Sequence, residues 1–246
     1  PVLNSPAQVA RWRAAGGGPC DVMIDTGMNR LGLTAAEAGS GLLDGLVIDT
    51  VMSHLASADD DPVLSARQRD RFVAATDSVA AARRSLANSA GIALGQDYGF
   101  DLTRPGLALY GGVPHPALAG RIRQVAVPEA QILMCRRLQA GDTVGYNATF
   151  TARGDMVIAI ANIGYADGYW RGFSGRGTAR AGGAALPILG RVSMDLIAID
   201  IAAAPSLCEG DWIALDYALP EASARSGMSQ YELLTGLGAR FDRVWG

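Results

Sequence analysis

Short apolar segments alternate with helical stretches over roughly the first 110 residues, and the alternation then stops. Residues 22–25 and 46–54 have the make-up of buried strands, the second strongly β-branched at its start. Between them Thr34 and Glu37 form a Thr-x-x-Glu capping box, which opens an alanine-rich helix. Asp61 followed by Pro62 supplies the next helix with a cap and a first-turn proline. Leu64, Phe72, Val73, Val79 and Ala80 then follow an approximate helical stripe, with Arg67, Arg69 and Arg71 on the wetter side. Further strands are expected around Leu86 and Leu107. Strand and helix in alternation predict a parallel α/β unit.

Past residues 121–128 the pattern becomes that of an all-β domain. Strands are expected at 130–138, 156–163, 184–189, 192–201 and 212–215, divided by turns such as Gly141-Asp142 and Gly210-Asp211. Ser229 and Glu232 make a second capping box before Leu233, Leu234 and Leu237. The expected domains are therefore 1–122 and 123–246. Four strands with their helices cannot close a barrel and would leave an unpaired edge. The first domain is thus expected to be the later half of something larger, and a first residue Pro1 in place of methionine agrees with that.

Composition narrows the chemistry. All 21 Lys+Arg residues are arginine, so no lysine is present to form a Schiff base, act as a base or fill a P-loop. A net charge of −3 gives no basic stripe for nucleic acid. No apolar run reaches the roughly 18 residues of a membrane span, and no signal peptide is visible. Cys20, Cys135 and Cys208 read as buried thiols of a reducing cytosol and not as a disulfide frame. With His54 and His115 the only histidines, no metal site is expected.

Four segments fall where strands of a β/α unit end, the position of a barrel's active site. They are Asp25-Thr26-Gly27-Met28-Asn29-Arg30-Leu31-Gly32, Met52-Ser53-His54-Leu55, Ala87-Asn88-Ser89-Ala90-Gly91 and Arg104-Pro105-Gly106-Leu107-Ala108-Leu109-Tyr110-Gly111. Taken singly, the first is as readily an ordinary strand-to-helix turn, and a lone histidine is more often a packed core residue. The third offers small hydroxyl and amide groups to a phosphate, and Gly106 can bring backbone N–H groups close to an anion.

In that order the four segments resemble the fold-type III pyridoxal phosphate (PLP) enzymes, the alanine racemases in particular. Ile163-Gly164-Tyr165-Ala166-Asp167-Gly168-Tyr169, Gly190-Arg191-Val192-Ser193-Met194-Asp195 and Tyr231-Glu232-Leu233-Leu234 extend the resemblance through nearly the whole chain. It implies an α/β-plus-β fold: the second half of a (β/α)8 TIM-type barrel (residues 1–122), then a mainly β domain (residues 123–246) that contributes to the partner subunit's site. It implies a cytoplasmic homodimer with shared active sites, interconverting L- and D-alanine with PLP and so supplying D-alanine for peptidoglycan. Arg104 would face the pyridine nitrogen and, being always protonated, keep it unprotonated. His54 would pack near the ring and link Arg104 to Tyr165. Asn88 and Ser89, with the backbone of Gly106 and Leu107, would hold the phosphate, and Tyr231, in the first turn of its helix, would add a hydroxyl. Tyr165 would be the catalytic base, reaching the opposite subunit's cofactor; a free phenol has a pKa near 10 and needs cations nearby. Arg30 and the backbone N–H of Met194 would bind the substrate carboxylate, and Arg191 and Asp195 would line the entrance.

The chain departs from the pattern at three places. The Schiff-base lysine, which is also the second base, is absent. Met23 stands where a carbamylated lysine often orients the arginine, and a thioether cannot replace a carbamate. Asn147, within Gly145-Tyr146-Asn147-Ala148-Thr149, stands where glycine is common. The resemblance therefore predicts the C-terminal two-thirds of an alanine racemase, inactive by itself. Two other readings stay open: a truncated non-catalytic PLP-binding or interaction paralogue, and a racemase of broader amino-acid specificity.

Overall fold

A computed structural model of the chain describes residues 1–245. It divides into two compact units, one of Pro1–Leu109 with Pro114–Arg121, the other of Tyr110–Val113 with Ile122–Gly246.

The first unit is built on a four-stranded parallel sheet in the order β1 (Val2–Leu3), β2 (Pro19–Met23), β3 (Val47–Met52), β4 (Ala81–Ser85). Its helices are α1 (Pro6–Ala14), α2 (Ala35–Ala38), α3 (Pro62–Thr76) and α4 (Ser89–Ala93). Each local signal has its physical counterpart. The Thr34 hydroxyl accepts from the Glu37 N–H while Glu37 reaches back to Thr34, although the helix they open is only four residues long. Asp61 caps α3 through the Leu64 N–H at 2.8 Å. Val22, Ile24, Leu33 and Val51 are fully buried and form the heart of the unit's core.

Several expectations are corrected. β2 stops at Met23 because the Asp25 carboxylate accepts from the N–H groups of Gly27, Met28 and Asn29 at 2.8, 3.0 and 3.1 Å, which turns the chain. β4 lies just before Leu86, and Leu107 opens a 3-10 turn (Leu107–Tyr110) in place of a strand. The N–H groups of Gly106 and Ala108 donate to the Ser89 hydroxyl at 2.9 and 3.2 Å, which takes them from any ladder. In α3 the buried side chains are Ser65, Gln68, Phe72 and Thr76; Val73 is exposed, and Val79 and Ala80 lie beyond the helix end. Strand β1 and helix α1 were not anticipated.

The second unit contains β5 (Glu129–Leu138), β6 (Thr143–Val144), β7 (Phe150–Thr151), β8 (Met156–Ala161), β9 (Thr178–Ala181), β10 (Ala184–Leu189), β11 (Ile197–Asp200) and β12 (Trp212–Leu215). Six of them close an antiparallel barrel in the order β10-β11-β8-β5-β12-β9, while β6 and β7 pair separately. Closure removes the edges on which other chains could add. The β9–β10 hairpin turns on Gly182-Gly183, both at positive φ, as a two-residue turn matching strand twist requires. Ile132, Ile163, Leu186, Ile197 and Ile199 fill the core, with Tyr169 stacked on Phe173 at 4.4 Å. Helices α5 (Leu219–Ser226) and α6 (Gln230–Gly236) follow, and Ser229 with Glu232 caps α6. The strand expected over 192–201 is confined to β11, because residues 193–196 form a loop in which the Ser193 N–H donates to the Leu196 carbonyl. Of the cysteines, Cys20 is buried, but Cys135 is half-buried and Cys208 exposed, so the expectation of three buried thiols is wrong for two.

Candidate active site

The first unit collects polar groups where β2, β3 and β4 end. Met23, Asp25, Met28, Arg30, Ser53 and His54 line one small pocket. Arg30 is exposed and makes no ion pair among the described residues. His54 is half-buried, and burial, then Arg104 and Arg30, push its imidazole below the ordinary histidine value.

Arg104 is the electrostatic centre of the group. Its guanidinium donates to the Ser85 hydroxyl and to the Ser53 carbonyl, and Ser85 in turn donates to the Leu102 carbonyl at 2.7 Å. Burial pushes the pKa of Arg104 down, and no carboxylate pairs with it among the described residues. A part-buried cation without a counter-charge is costly, and a bound anion or basic nitrogen offsets that cost. Ser89 and Gly106 lie together through their 2.9 Å hydrogen bond, and the space where a Gly106 Cβ would stand is open. Leu107 is buried. The Asn88 side chain is committed: its oxygen caps α4 through the Gly91 N–H at 2.9 Å.

The second unit gathers a different set. The Tyr165 loop is zipped to the Met194 loop by bonds from the Tyr165 N–H to the Ser193 carbonyl (3.0 Å) and from the Ala166 N–H to the Met194 carbonyl (2.9 Å). The Arg171 guanidinium lies over the Tyr165 ring, 4.8 Å from its centroid. Met194 is exposed, as are Arg191 and Tyr231. Asp195 is paired with Arg240 at 2.7 Å, and Arg240 also bonds the buried Asp167 at 3.1 Å. Asn147 has φ 63, a left-handed conformation that asparagine tolerates better than most residues.

Sequence reasoning missed Thr26, Ser53, Gln68, Ser85, Arg171 and Arg240. Thr26 and Ser53 stand inside segments already singled out, and Arg171 follows the Tyr165 segment closely, so proximity could have flagged them. Gln68 lies outside those segments, so proximity does not flag it.

The two units, a short parallel sheet with polar groups at its strand ends and a closed antiparallel barrel carrying a tyrosine loop, match the two domains of one class of isomerases, the racemases. Residues 1–114 match the alanine racemase N-terminal domain, and residues 125–245 match the alanine racemase C-terminal domain. The chain belongs to the alanine racemase family. It is 44% identical to the alanine racemase of Acidiphilium cryptum, covering 99% of this chain and 72% of that protein. The Rhodospirillum rubrum alanine racemase is 41% identical, with 100% and 70% covered. Among solved structures, the Bartonella henselae alanine racemase with covalently bound pyridoxal phosphate superposes with a TM-score of 0.89 at 35% identity, over 99% of this chain and 72% of that one. The biosynthetic alanine racemase of Pseudomonas aeruginosa gives 0.85 at 30% identity, over 100% and 72%.

Proposed function

We propose that the chain takes part in interconverting L- and D-alanine with pyridoxal phosphate, as the second half of a (β/α)8 barrel followed by the β domain. The lysine that would bond the cofactor then lies outside these 246 residues, because none of them is lysine. When bound through an amine, PLP makes the Cα proton of an amino acid acidic by delocalising the electrons it leaves behind.

The observation that carries this reading is Arg104, a part-buried guanidinium fixed on Ser85 and Ser53 with no carboxylate partner among the described residues. It would meet the pyridine nitrogen and, being always protonated, leave that nitrogen without a proton. His54 would pack beside the ring, its depressed pKa keeping it neutral in the presence of Arg104 and Arg30. Ser89, Gly106 and Leu107 would hold the phosphate, with Tyr231 adding a hydroxyl. Asn88 would act indirectly, by capping the helix that carries Ser89.

Tyr165 would remove or return the Cα proton at the opposite subunit's site of a homodimer, with the Arg171 guanidinium lying over its ring. Arg30 and the Met194 N–H would bind the alanine carboxylate, with Arg191 and Asp195 at the entrance. D-alanine for peptidoglycan is the expected product, made in the cytoplasm. No described helix is long and apolar enough to cross a membrane. The zero lysine count favours, as a second reading, a PLP-binding paralogue without turnover, and Met23 beside Arg30 in one pocket leaves room for broader substrates.

Chiral separation of alanine tests the first reading. The 246-residue chain with PLP should form no D-alanine from L-alanine, and activity should appear when a lysine-bearing N-terminal segment of the family is joined to it. Turnover by the unextended chain would overturn the argument from lysine. Equal PLP retention by the chain and its R104Q and S89A variants in equilibrium dialysis would overturn the cradle.

A further inference from the structure

Helix α3 turns a polar face inward, against the usual amphipathic order. Gln68 is fully buried on that face. None of its amide's bonds goes to α3 itself. The Nε2 group donates to the His54 carbonyl at 3.0 Å and to the Thr26 hydroxyl at 3.3 Å, and Oε1 accepts from the Ala56 N–H at 2.8 Å. Thr26 and Ser53 share a buried hydroxyl–hydroxyl bond of 2.8 Å, and the Ser53 carbonyl receives Arg104. One turn further along α3, Arg71 donates to the Thr26 carbonyl at 3.3 Å.

We infer that Gln68 is a positioning residue that locks the Thr26 and His54 loops to α3 and so fixes where His54 stands beside Arg104. The inference rests on the reading of His54 and Arg104 as parts of the cofactor site. Gripping the peptide groups on both sides of Leu55 removes the freedom of that turn, and Leu55 itself packs in one cluster with Phe72 of α3. A neutral amide does this without adding charge next to His54, whose electrostatic neighbours remain Arg104 and Arg30. Asp25 lines the same pocket. No other side-chain type offers two donors and an acceptor on one neutral, planar group of that length, apart from the shorter asparagine. Removing the amide would leave the His54 carbonyl and the Ala56 N–H without their partner, and the loop would relax toward water to satisfy them.

The chain has only two histidines, so imidazole resonances read the consequence directly. A 15N-histidine-labelled sample of the 246-residue chain is titrated by NMR, with His54 assigned by its loss in H54Q and His115 as internal reference. In Q68M, similar in length but without the amide, the His54 midpoint should move upward as the ring leaves its burial and the two guanidinium groups. The Ala56 amide should exchange about two- to tenfold faster, the effect of losing one hydrogen bond. A folded Q68M whose His54 titrates as in the unaltered chain would overturn the inference, because a merely stabilising glutamine leaves that midpoint alone. Should Q68M fail to fold, the unaltered chain decides: slow exchange at Ala56 supports the clamp, and exchange at the free-peptide rate refutes it. Neither readout uses cofactor or turnover, so a failure of PLP binding would count against the proposed function and leave this result standing.

Discussion

Gly164 offers a sharp test of how the tyrosine loop is held. Its φ of −156 and ψ of −164 are extended values open to any residue, so alanine meets no backbone strain there. Space is the whole issue. A Cβ at Gly164 would lie 2.3 Å from the Met194 carbonyl oxygen and 2.5 Å from both the Met194 carbonyl carbon and the Ser193 oxygen, where ordinary contact begins at 3.4 Å. G164A must therefore push the Met194 loop back by about 1 Å against rigid backbone, at an overpacking cost of about 1–3 kcal/mol. The same movement stretches the Tyr165–Ser193 and Ala166–Met194 bonds, now 3.0 and 2.9 Å. Each such bond contributes about 0.5–1.5 kcal/mol net, so the total loss is roughly 2–6 kcal/mol. At about 2–4 °C per kcal/mol for a chain of this size, the melting temperature should fall by roughly 4–24 °C. Circular dichroism during heating measures it, with G154A as the control, since nothing lies within 4 Å of a Cβ at Gly154 and its φ is not positive. A G164A variant that melts within about 1 °C of the control would show that the two loops are not packed in this way.

The depressed pKa of His54 makes stability depend on pH: the unfolded chain takes up the proton first, so folding free energy holds above pH 6.5 and declines as pH falls below it. Urea midpoints across that range should show the decline in the unaltered chain and less of it in H54Q. At Asp216 burial raises the carboxyl pKa, but the hydrogen bonds and charges of Arg225 and Arg180 outweigh it and hold the value below 3.8. That stabilisation is present above 3.8 and lost as pH falls through the folded value, so R225M should lose stability at neutral pH and flatten the acid limb of the urea-midpoint profile. I199A, in the fully buried barrel core, should cost about 2–5 kcal/mol in urea unfolding.

Much of the chain was legible where structure is decided locally. The pairs Thr34/Glu37, Asp61/Pro62 and Ser229/Glu232 start helices because a side chain meets backbone three residues away, and nothing distant intervenes. The β10 and β12 segments were readable because each is a short run of apolar residues bounded by Gly- or Asp-containing turns. Leu107 misled because its neighbours' N–H groups are claimed by a hydroxyl seventeen and nineteen residues back, a partner that no local pattern reveals. The segment before β11 misled for a similar reason: its carbonyls are used by the Tyr165 loop.

The misreading of α3 has a more general cause, and it bears on how such sites can be found. An apolar stripe marks the buried face of a helix only when that face meets other side chains. Here the neighbours are loops, and loop backbone carries N–H and C=O groups that must be paired once water is excluded. The helix face that meets them must then supply donors and acceptors, which is why Ser65 (to the Ser57 carbonyl at 3.2 Å) and Gln68 point inward while Val73 is left in solvent. A search that scores only hydrophobicity turns this helix the wrong way and discards the residues that hold the site's loops. Polar side chains at helical spacing, next to a segment that ends a strand with Ser-His, are thus a readable mark of a helix supporting an active-site loop. The Q68M titration tests that reasoning as well as the residue, since a glutamine buried only to fill space would leave His54 unmoved.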